Sequence, residues 1–435
     1  MHPLRPAVSQ LELLWDVRSA APSRVRRPEA LAEELRRFQE FGTPTIAAET
    51  PYQIGEERRT APAFINEFWT AKQRAAHGLH EISYRACFKP QLPRFFIERL
   101  TDPGEVVYDP FMGRGTTLLE AALLGRVPAG CDVNPLSRML IAPRLNPPSL
   151  DAVAARLKEI DFTAPAETRE DLTVFYHPET LREICALRSY FLQREAAGQM
   201  DAADRWIRMV AVNRLTGHSP GFFSVYTLPP NQAVSVESQV RINRNRSQTP
   251  PRRDVAKLIL KKSKGLLKEC TASDLDTLRA ASREALLLSQ PCQSTPQIAS
   301  DSVALAVTSP PFLNIVNYAT DNWLRCWFCG LDLKPAGLTV TASLGDWMEV
   351  MTAALRELRR VLRPGGHVAF EVGEVRKGSL KLEESVLSCG VAAGLDPLLV
   401  VINDQEFTKT SNCWGVSNRA GGTNTNRIVV FQKRR

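Results

Sequence analysis

The chain has no run of about 18 apolar residues, the length a membrane-spanning helix needs. Its first stretch, MHPLRPAVSQLELLWDVRSAAP, lacks the charged start and apolar core of a secretory leader. No membrane partner is expected, and the cytoplasm is the expected compartment. Paired cysteine spacing is also missing: the 9 cysteines are scattered through a chain too long to need disulfide staples, which points to a reducing environment. No second CxxC answers Cys326 and Cys329 in WLRCWFCG, and the 6 histidines do not cluster, so no metal site is expected and these two cysteines read as structural. There is no internal repeat. The one short glycine-rich turn is not followed by GK[ST], which excludes a Walker-type phosphate loop.

What is present describes an ordinary globular protein with room for two or three domains: 435 residues, 44% hydrophobic and 23% charged. A net charge of +8 and a pI near 9.1 suit a polyanion-binding protein, although many basic proteins bind no nucleic acid.

Four intervals follow from the pattern. Residues 1–60, rich in Arg, Glu, Ala and Pro, hold one helical segment, PEALAEELRRFQEFG, and read as an appended arm. Residues 61–150 begin a βαβ pattern. The amphipathic helix of QLPRFFIERL, with Leu92, Phe95, Phe96 and Leu100 on one face, precedes the strand EVVYD, a turn and helix in MGRGTTLLEAALLG, and a second strand, RVPAGCD. From 151 to 290 the rhythm is lost among helical stretches, the tract GHSPGFFSVYTLPPNQ and the most basic region of the chain. There, between Arg241 and Lys268, ten Lys and Arg face a single acid, Asp254. This interval is expected to be an insert in the sheet. Residues 291–435 resume the pattern with the strand VALAVTS, the helix WMEVMTAALRELRRVL, a breaker at RPGG, and the apolar runs HVAFEV, PLLVVIND and NRIVVFQ, whose last strand is expected over Ile428–Phe431. Alternation of this kind predicts an α/β fold: a doubly wound, mostly parallel sheet carrying an inserted domain.

Two features in this frame carry chemistry. DPFMGRGTT joins a strand to a helix, and Gly113 and Gly115 let the backbone approach a ligand at the helix start. On its own such a turn could serve a dinucleotide or a phosphate, although G-x-G-T-T departs from the dinucleotide spacing G-x-G-x-x-G. Asp132 ends the next strand, where an acid can accept hydrogen bonds from ribose hydroxyls; its alternative role is as a turn residue ahead of Asn134-Pro135. Two such features at this separation favour a nucleoside cofactor. The second feature is TSPPF, where a buried-looking strand exits through two prolines that fix the chain and supply no donors.

DPFMGRGTT, CDVNP and TSPPF, with FKPQLPRFFIERL upstream, resemble the motifs of the S-adenosylmethionine-dependent DNA amino-methyltransferases, of N4-cytosine and N6-adenine type. The likeness covers about residues 80–145 and 300–435. It implies a Rossmann-like class I methyltransferase fold and S-adenosyl-L-methionine as cofactor, held by Lys89, Pro90, Asp109, Pro110, Phe111, Gly113, Gly115, Thr116, Thr117, Asp132 and Asn134. Ser309, Pro310, Pro311 and Phe312 would form the catalytic loop. The hydroxyl of Ser309 and the carbonyl of Pro310 would accept the two amino hydrogens of the target base, and Phe312 would stack on that base once extruded. Serine in first place, rather than aspartate, points within the family to cytosine N4 over adenine N6.

The resemblance also implies double-stranded DNA as partner, a restriction–modification role, and a cognate restriction endonuclease or other defence partner. It places target recognition between the two halves, so Arg241, Arg244, Arg246, Arg252, Arg253, Lys261 and Lys262 would meet DNA, through phosphates more readily than base edges. Three rivals stand beside this reading: an adenine-N6 enzyme, an RNA base methyltransferase, and a catalytically silent DNA-binding protein on the same scaffold. The Pro-Cys-Gln at Cys292, a motif of cytosine C5 chemistry, lacks the other motifs of that class.

Overall fold

A nine-stranded sheet organises the protein in a computed structural model that describes residues 28–70, 76–84, 88–227, 233–311, 318–332, 343–373, 380–404 and 425–434. The strands are β1 (Ile46–Ile54), β2 (Glu57–Asn66), β3 (Val106–Asp109), β4 (Val127–Cys131), β5 (Leu286–Leu288), β6 (Val303–Thr308), β7 (Leu362–Val372), β8 (Asp396–Asp404) and β9 (Thr425–Gln432). They lie side by side as β1-β2-β8-β9-β7-β6-β3-β4-β5. The pairs β3–β4, β4–β5, β3–β6, β6–β7 and β2–β8 are parallel. The hairpin β1–β2 and both neighbours of β9 are antiparallel. Successive residues of the central strands feed opposite faces. Val106 and Tyr108 pack on one side and Val107 on the other, and Val400 and Val401, like Val429 and Val430, divide in the same way. Strands apolar on both faces need cover on both, and the doubly wound, Rossmann-like α/β arrangement supplies it.

On one face lie α1 (Pro28–Arg37) and α2 (Gln91–Leu100), whose Leu92, Phe95, Phe96 and Leu100 are buried as their spacing predicts. Beside them runs α3 (Thr116–Leu123), with α4 (Leu136–Leu145) packed against it. A helical block follows β4: α5 (Leu150–Glu159), α6 (Pro178–Ala196), α7 (Ala202–Val212), α8 (Val236–Asn245), α9 (Val255–Leu267) and α10 (Ala272–Glu284). After β6 come α11 (Tyr318–Cys329), α12 (Leu344–Val361) and α13 (Leu382–Ala392); the last two cover the opposite face. The helical block shares one hydrophobic core with α3, α4 and α11, in which Leu118, Leu140, Phe175, Trp206, Ile259 and Phe328 are all buried. It is tied across by Trp206, whose Nε1 donates to Ser263 Oγ at 3.0 Å.

Three details of the expected organisation change. The segment 1–60 does not stand apart as an arm, because β1 and the start of β2 belong to the sheet, and β2 pairs with β8 through residues Ala63–Asn66. β5 falls inside the interval 151–290 yet pairs with β4, so the inserted helices lie between two neighbouring strands. Arg363-Pro364-Gly365-Gly366 does not stop a helix before a separate strand; it opens β7 as a bulge, where Val303 pairs with Leu362 and Leu305 with His367. Gly366 is needed there, since a Cβ would meet Arg363 O at 2.9 Å and Ala304 O at 3.1 Å.

Candidate active site

From β3 the chain proceeds outward through β4 to β5, then returns to lay β6 on the other side of β3. This reversal marks the carboxyl ends of β3 and β6, which lie side by side, as the edge where doubly wound sheets bind ligands. Side chains join the two motifs there. Thr308 Oγ1, at the end of β6, donates to Asp109 Oδ1 at 2.6 Å, and Thr117 Oγ1 in α3 donates to the carbonyl of Val307 at 3.0 Å. Asp109 is buried, and burial pushes its carboxyl up to about 7 against the opposing hydrogen bonds from Thr308 and the Phe111 N–H.

The glycine turn is fixed by its own backbone. Phe111 N donates to Asp109 Oδ1 at 3.0 Å, Met112 N to the Cys131 carbonyl at 3.0 Å, and Gly113 N to Asp132 Oδ2 at 2.9 Å. Gly113 and Gly115 both have positive φ, +47° and +77°. Their reasons differ: a Cβ on Gly115 would lie 2.3 Å from Ile141 Cγ1, whereas one on Gly113 would meet nothing nearer than Tyr84 Cε1 at 3.7 Å. Asp132 also accepts from Asn134 N at 2.8 Å, so the acid closes the turn and braces the glycine loop together. Burial raises its pKa while these N–H groups oppose the rise. A carboxylate has about four acceptor sites, so the two oxygens retain capacity for a ribose hydroxyl. Asn134 spends its oxygen on Leu136 N at 3.0 Å, Thr116 accepts from Arg114 Nε at 3.2 Å, and Thr117 faces β6; these three hold the loop in shape. Lys89, its pKa lowered by burial, and Pro90 stand at the start of α2.

In the Ser-Pro-Pro turn, Ser309 Oγ donates to Glu371 Oε2 of β7. The other oxygen of Glu371 accepts from Asn426 Nδ2 of β9 at 3.1 Å. Burial pushes the Glu371 carboxyl up, and its two hydrogen bonds oppose that. With its proton directed at a carboxylate, the Ser309 hydroxyl keeps its lone pairs for a donor elsewhere. Trp347 Nε1 in α12 donates to the Pro311 carbonyl at 3.0 Å and restrains the turn from outside. Phe312 lies outside the described residues. Glu371 and Trp347 were missed in the sequence; the available signal was an acid in the otherwise apolar strand HVAFEV.

The residues expected on DNA differ in their surroundings. Arg241, Arg244, Arg246 and Lys261 are exposed, Arg246 lying 3.8 Å over the Tyr226 ring. Arg252 pairs with Glu179 at 2.8 Å and with Glu183, and Lys262 contacts Glu81 at 3.3 Å. The backbone N–H of Arg253 donates to Thr180 Oγ1 at 2.8 Å, while its own side-chain Nε is buried without a partner. Cys292 is buried and its thiol pushed far up by burial, which leaves it no nucleophilic character. Cys326 and Cys329 are free and buried, and no group that could hold a metal ion occurs among the described residues. No helix of the described residues is long and apolar enough to cross a membrane.

Residues 30–138 match the family model described as DNA methylase, N6_N4_Mtase; the match runs from α1 into α4 and so includes the β1–β2 hairpin. The chain is similar to the Type II methyltransferase M.BsoBI of Geobacillus stearothermophilus, at 25% identity over 319 residues. That alignment covers 65% of this chain and 58% of the relative, so the chain spans less than two thirds of the relative's length. The Type II methyltransferase M.MvaI of Kocuria varians is 31% identical over 117 residues, 26% of this chain and 24% of that protein. Among solved structures, a TehB-like SAM-dependent methyltransferase of Corynebacterium glutamicum covers 79% of this chain and is itself covered to 87%, at 9% identity and a TM-score of 0.29.

Proposed function

Taking the DNA methylase match over residues 30–138 as the premise, we propose that the protein transfers a methyl group from S-adenosylmethionine to an exocyclic amine of double-stranded DNA. The amine is cytosine N4 within a short recognition sequence. The observation that supports this reading is the link between the two motifs: Thr308 donates to Asp109, so the Ser-Pro-Pro turn and the glycine turn leave the sheet from neighbouring strand ends.

The residues at the cofactor end fit a nucleoside with a charged tail. Asp132 keeps acceptor capacity for ribose, and Gly113 is flanked only at van der Waals distance, by Tyr84 Cε1 at 3.7 Å and the Phe111 carbonyl at 3.8 Å. When bound, S-adenosylmethionine supplies a methyl group already activated by its sulfonium charge. The remaining work belongs to the chain. An exocyclic amine is a weak nucleophile because its lone pair is delocalised into the ring. Ser309 Oγ and the Pro310 carbonyl would each accept an amino hydrogen and draw the nitrogen towards a pyramidal shape, directing its lone pair at the methyl group. As the N–C bond forms and the bond between the methyl group and sulfur breaks, the amine releases its surplus proton to water on this acceptor side. Glu371 keeps the serine hydroxyl in one orientation, and Trp347 keeps the turn in place. Phe312 would stack on the extruded base, a contact worth about 1–3 kcal/mol against the cost of unstacking.

The helices between β4 and β5 would carry the DNA-reading surface, through Arg241, Arg244, Arg246 and Lys261, and the protein would protect host DNA beside a cognate endonuclease or another defence partner. Expression in a host free of other methylation, followed by sequencing of its DNA for modified bases, tests the reading. N4-methylcytosine at one short motif is the expected result. N6-methyladenine would correct the base, and unmodified DNA with methylated RNA would overturn the substrate.

A further inference from the structure

The segment Leu79–Tyr84 runs between the glycine turn and the helical block, and cations gather along it. Arg114 Nη1 donates to the carbonyls of Ile82 at 2.9 Å and His80 at 3.3 Å. Arg325 of α11, buried, donates from Nη2 to the Ser83 carbonyl at 3.1 Å and lies 5.8 Å from the Tyr84 ring. Lys262 of α9 contacts Glu81. Ser83 N donates to Asn213 Oδ1 at 2.8 Å, which sets the next residue, Arg214, beside the same segment. The carboxylates nearby are few. Glu81 meets Lys262, Asp321 lies near Arg325, and Glu120 is engaged by His80 at 2.7 Å and Arg94 at 3.4 Å.

Among these cations Arg214 is distinctive. Its guanidinium carbon lies over the Phe222 ring, 4.1 Å from the centroid, and Nε donates to the Asn213 carbonyl at 2.9 Å. It forms no ion pair with any of the described residues. Phe222 is itself pinned, since it packs over Gly217 so closely that a Cβ there would lie 2.4 Å from the ring. Burial, and then the charge of Arg325, push the Arg214 pKa down to about 10, against the opposing charge of Glu81. A planar guanidinium held on an aromatic face presents its remaining N–H groups as a rigid fork suited to a phosphate. The cluster borders the glycine turn through Tyr84, and Lys262 continues into the exposed basic side of α9.

We infer that Arg214, laid on Phe222 beside Lys262 and Arg325, anchors a phosphodiester of the DNA strand that carries the target base. The inference rests on the DNA methylation reading. A backbone phosphate gripped beside these strand ends would hold the strand while its nucleotide turns out, and the loop RLTGHSPGFF would serve as an anion platform as well as packing.

The test uses the full chain with short duplexes cut from genomic DNA, titrated at several salt concentrations, and S-adenosylmethionine titrated separately without DNA. R214Q is expected to weaken duplex binding about tenfold, the loss of one charged hydrogen-bonded contact, and to lower the salt slope by about one. S-adenosylmethionine affinity should stay within twofold of wild type. R214K should keep the slope and lose affinity several-fold, because the charge remains and the fork does not. Unchanged duplex affinity in R214K or R214Q overturns the inference. Loss of S-adenosylmethionine affinity with DNA binding intact also overturns it, by assigning the anion to the cofactor's carboxylate. If R214Q does not fold, R214K decides alone. These outcomes are separable from failure of the parent reading, in which wild-type protein would leave cellular DNA unmodified.

Discussion

Thr308, the last residue of β6, donates a 2.6 Å hydrogen bond to Asp109, the last residue of β3, across 199 positions of sequence. Both are buried, so this bond forms where water cannot compete, and it fixes the ends from which the two motifs emerge.

Asp109 should make stability depend on pH. Its carboxyl titrates near 7 in the folded chain against about 3.8 in the unfolded one. Between those values the folded state holds a proton that the unfolded chain has released, so stability falls as pH rises through that window and levels off above it. Asp109→Asn removes the titration. From pH 4 to pH 8, wild type should lose on the order of 4 kcal/mol relative to this variant, read from urea unfolding at each pH. Parallel curves for the two proteins would show that Asp109 titrates in its ordinary range.

Ser309 and Glu371 should separate chemistry from positioning. Ser309→Ala is expected to lower kcat by about 100- to 1000-fold, the usual cost of removing one preorganised polar partner of a transition state, with S-adenosylmethionine affinity unchanged. Glu371→Gln preserves the shape and should reduce kcat by about tenfold. It should also remove the acid limb of the rate profile. That limb is expected in wild type above pH 4.5, because burial raises the Glu371 pKa and its carboxylate is lost as pH falls through that raised value. A profile unchanged by Glu371→Gln would place the limb on another group.

The two glycines of the turn should fail differently. Gly115→Ala forces a Cβ into Ile141 at positive φ and should destabilise the protein by about 2–3 kcal/mol; Ile141→Ala in the same chain should restore part of that loss. Gly113→Ala meets no neighbour within 3.7 Å and should cost the fold only about 1–2 kcal/mol while greatly weakening S-adenosylmethionine binding. Thermal unfolding and cofactor titration of both variants distinguish them, and equal cofactor loss in the two would show that the difference in packing has no functional counterpart.

Much of the sheet was legible because its strands are short apolar runs bounded by turns and helices. VVYD, VALAVT and the run from Asp396 to Asp404 lie where their patterns place them. The final strand extends to Thr425–Gln432, beyond the expected Ile428–Phe431, because pairing with β7 and β8 holds polar ends that periodicity does not mark. β1 and β2 were hidden for a related reason. The exposed start of β2, Glu57 to Thr60, is polar, and in β1 the exposed residues Ile46, Ala47, Ala48 and Glu49 follow one another without alternation, so the hairpin carries no period-two signal and reads as part of a charged arm.

Local chemistry was readable along the chain: a turn that requires Gly113 and Gly115, an acid at Asp132, and a proline-fixed exit after Ser309. These are properties of neighbouring residues, set by backbone conformation and spacing. Packing brings Thr308 to Asp109, Ser309 to Glu371 and Trp347 to Pro311, and sets Arg214 among cations with no ion pair among the described residues. Each of these depends on which strands lie side by side and on how much water burial removes, and neither quantity is written in the order of residues along a single segment.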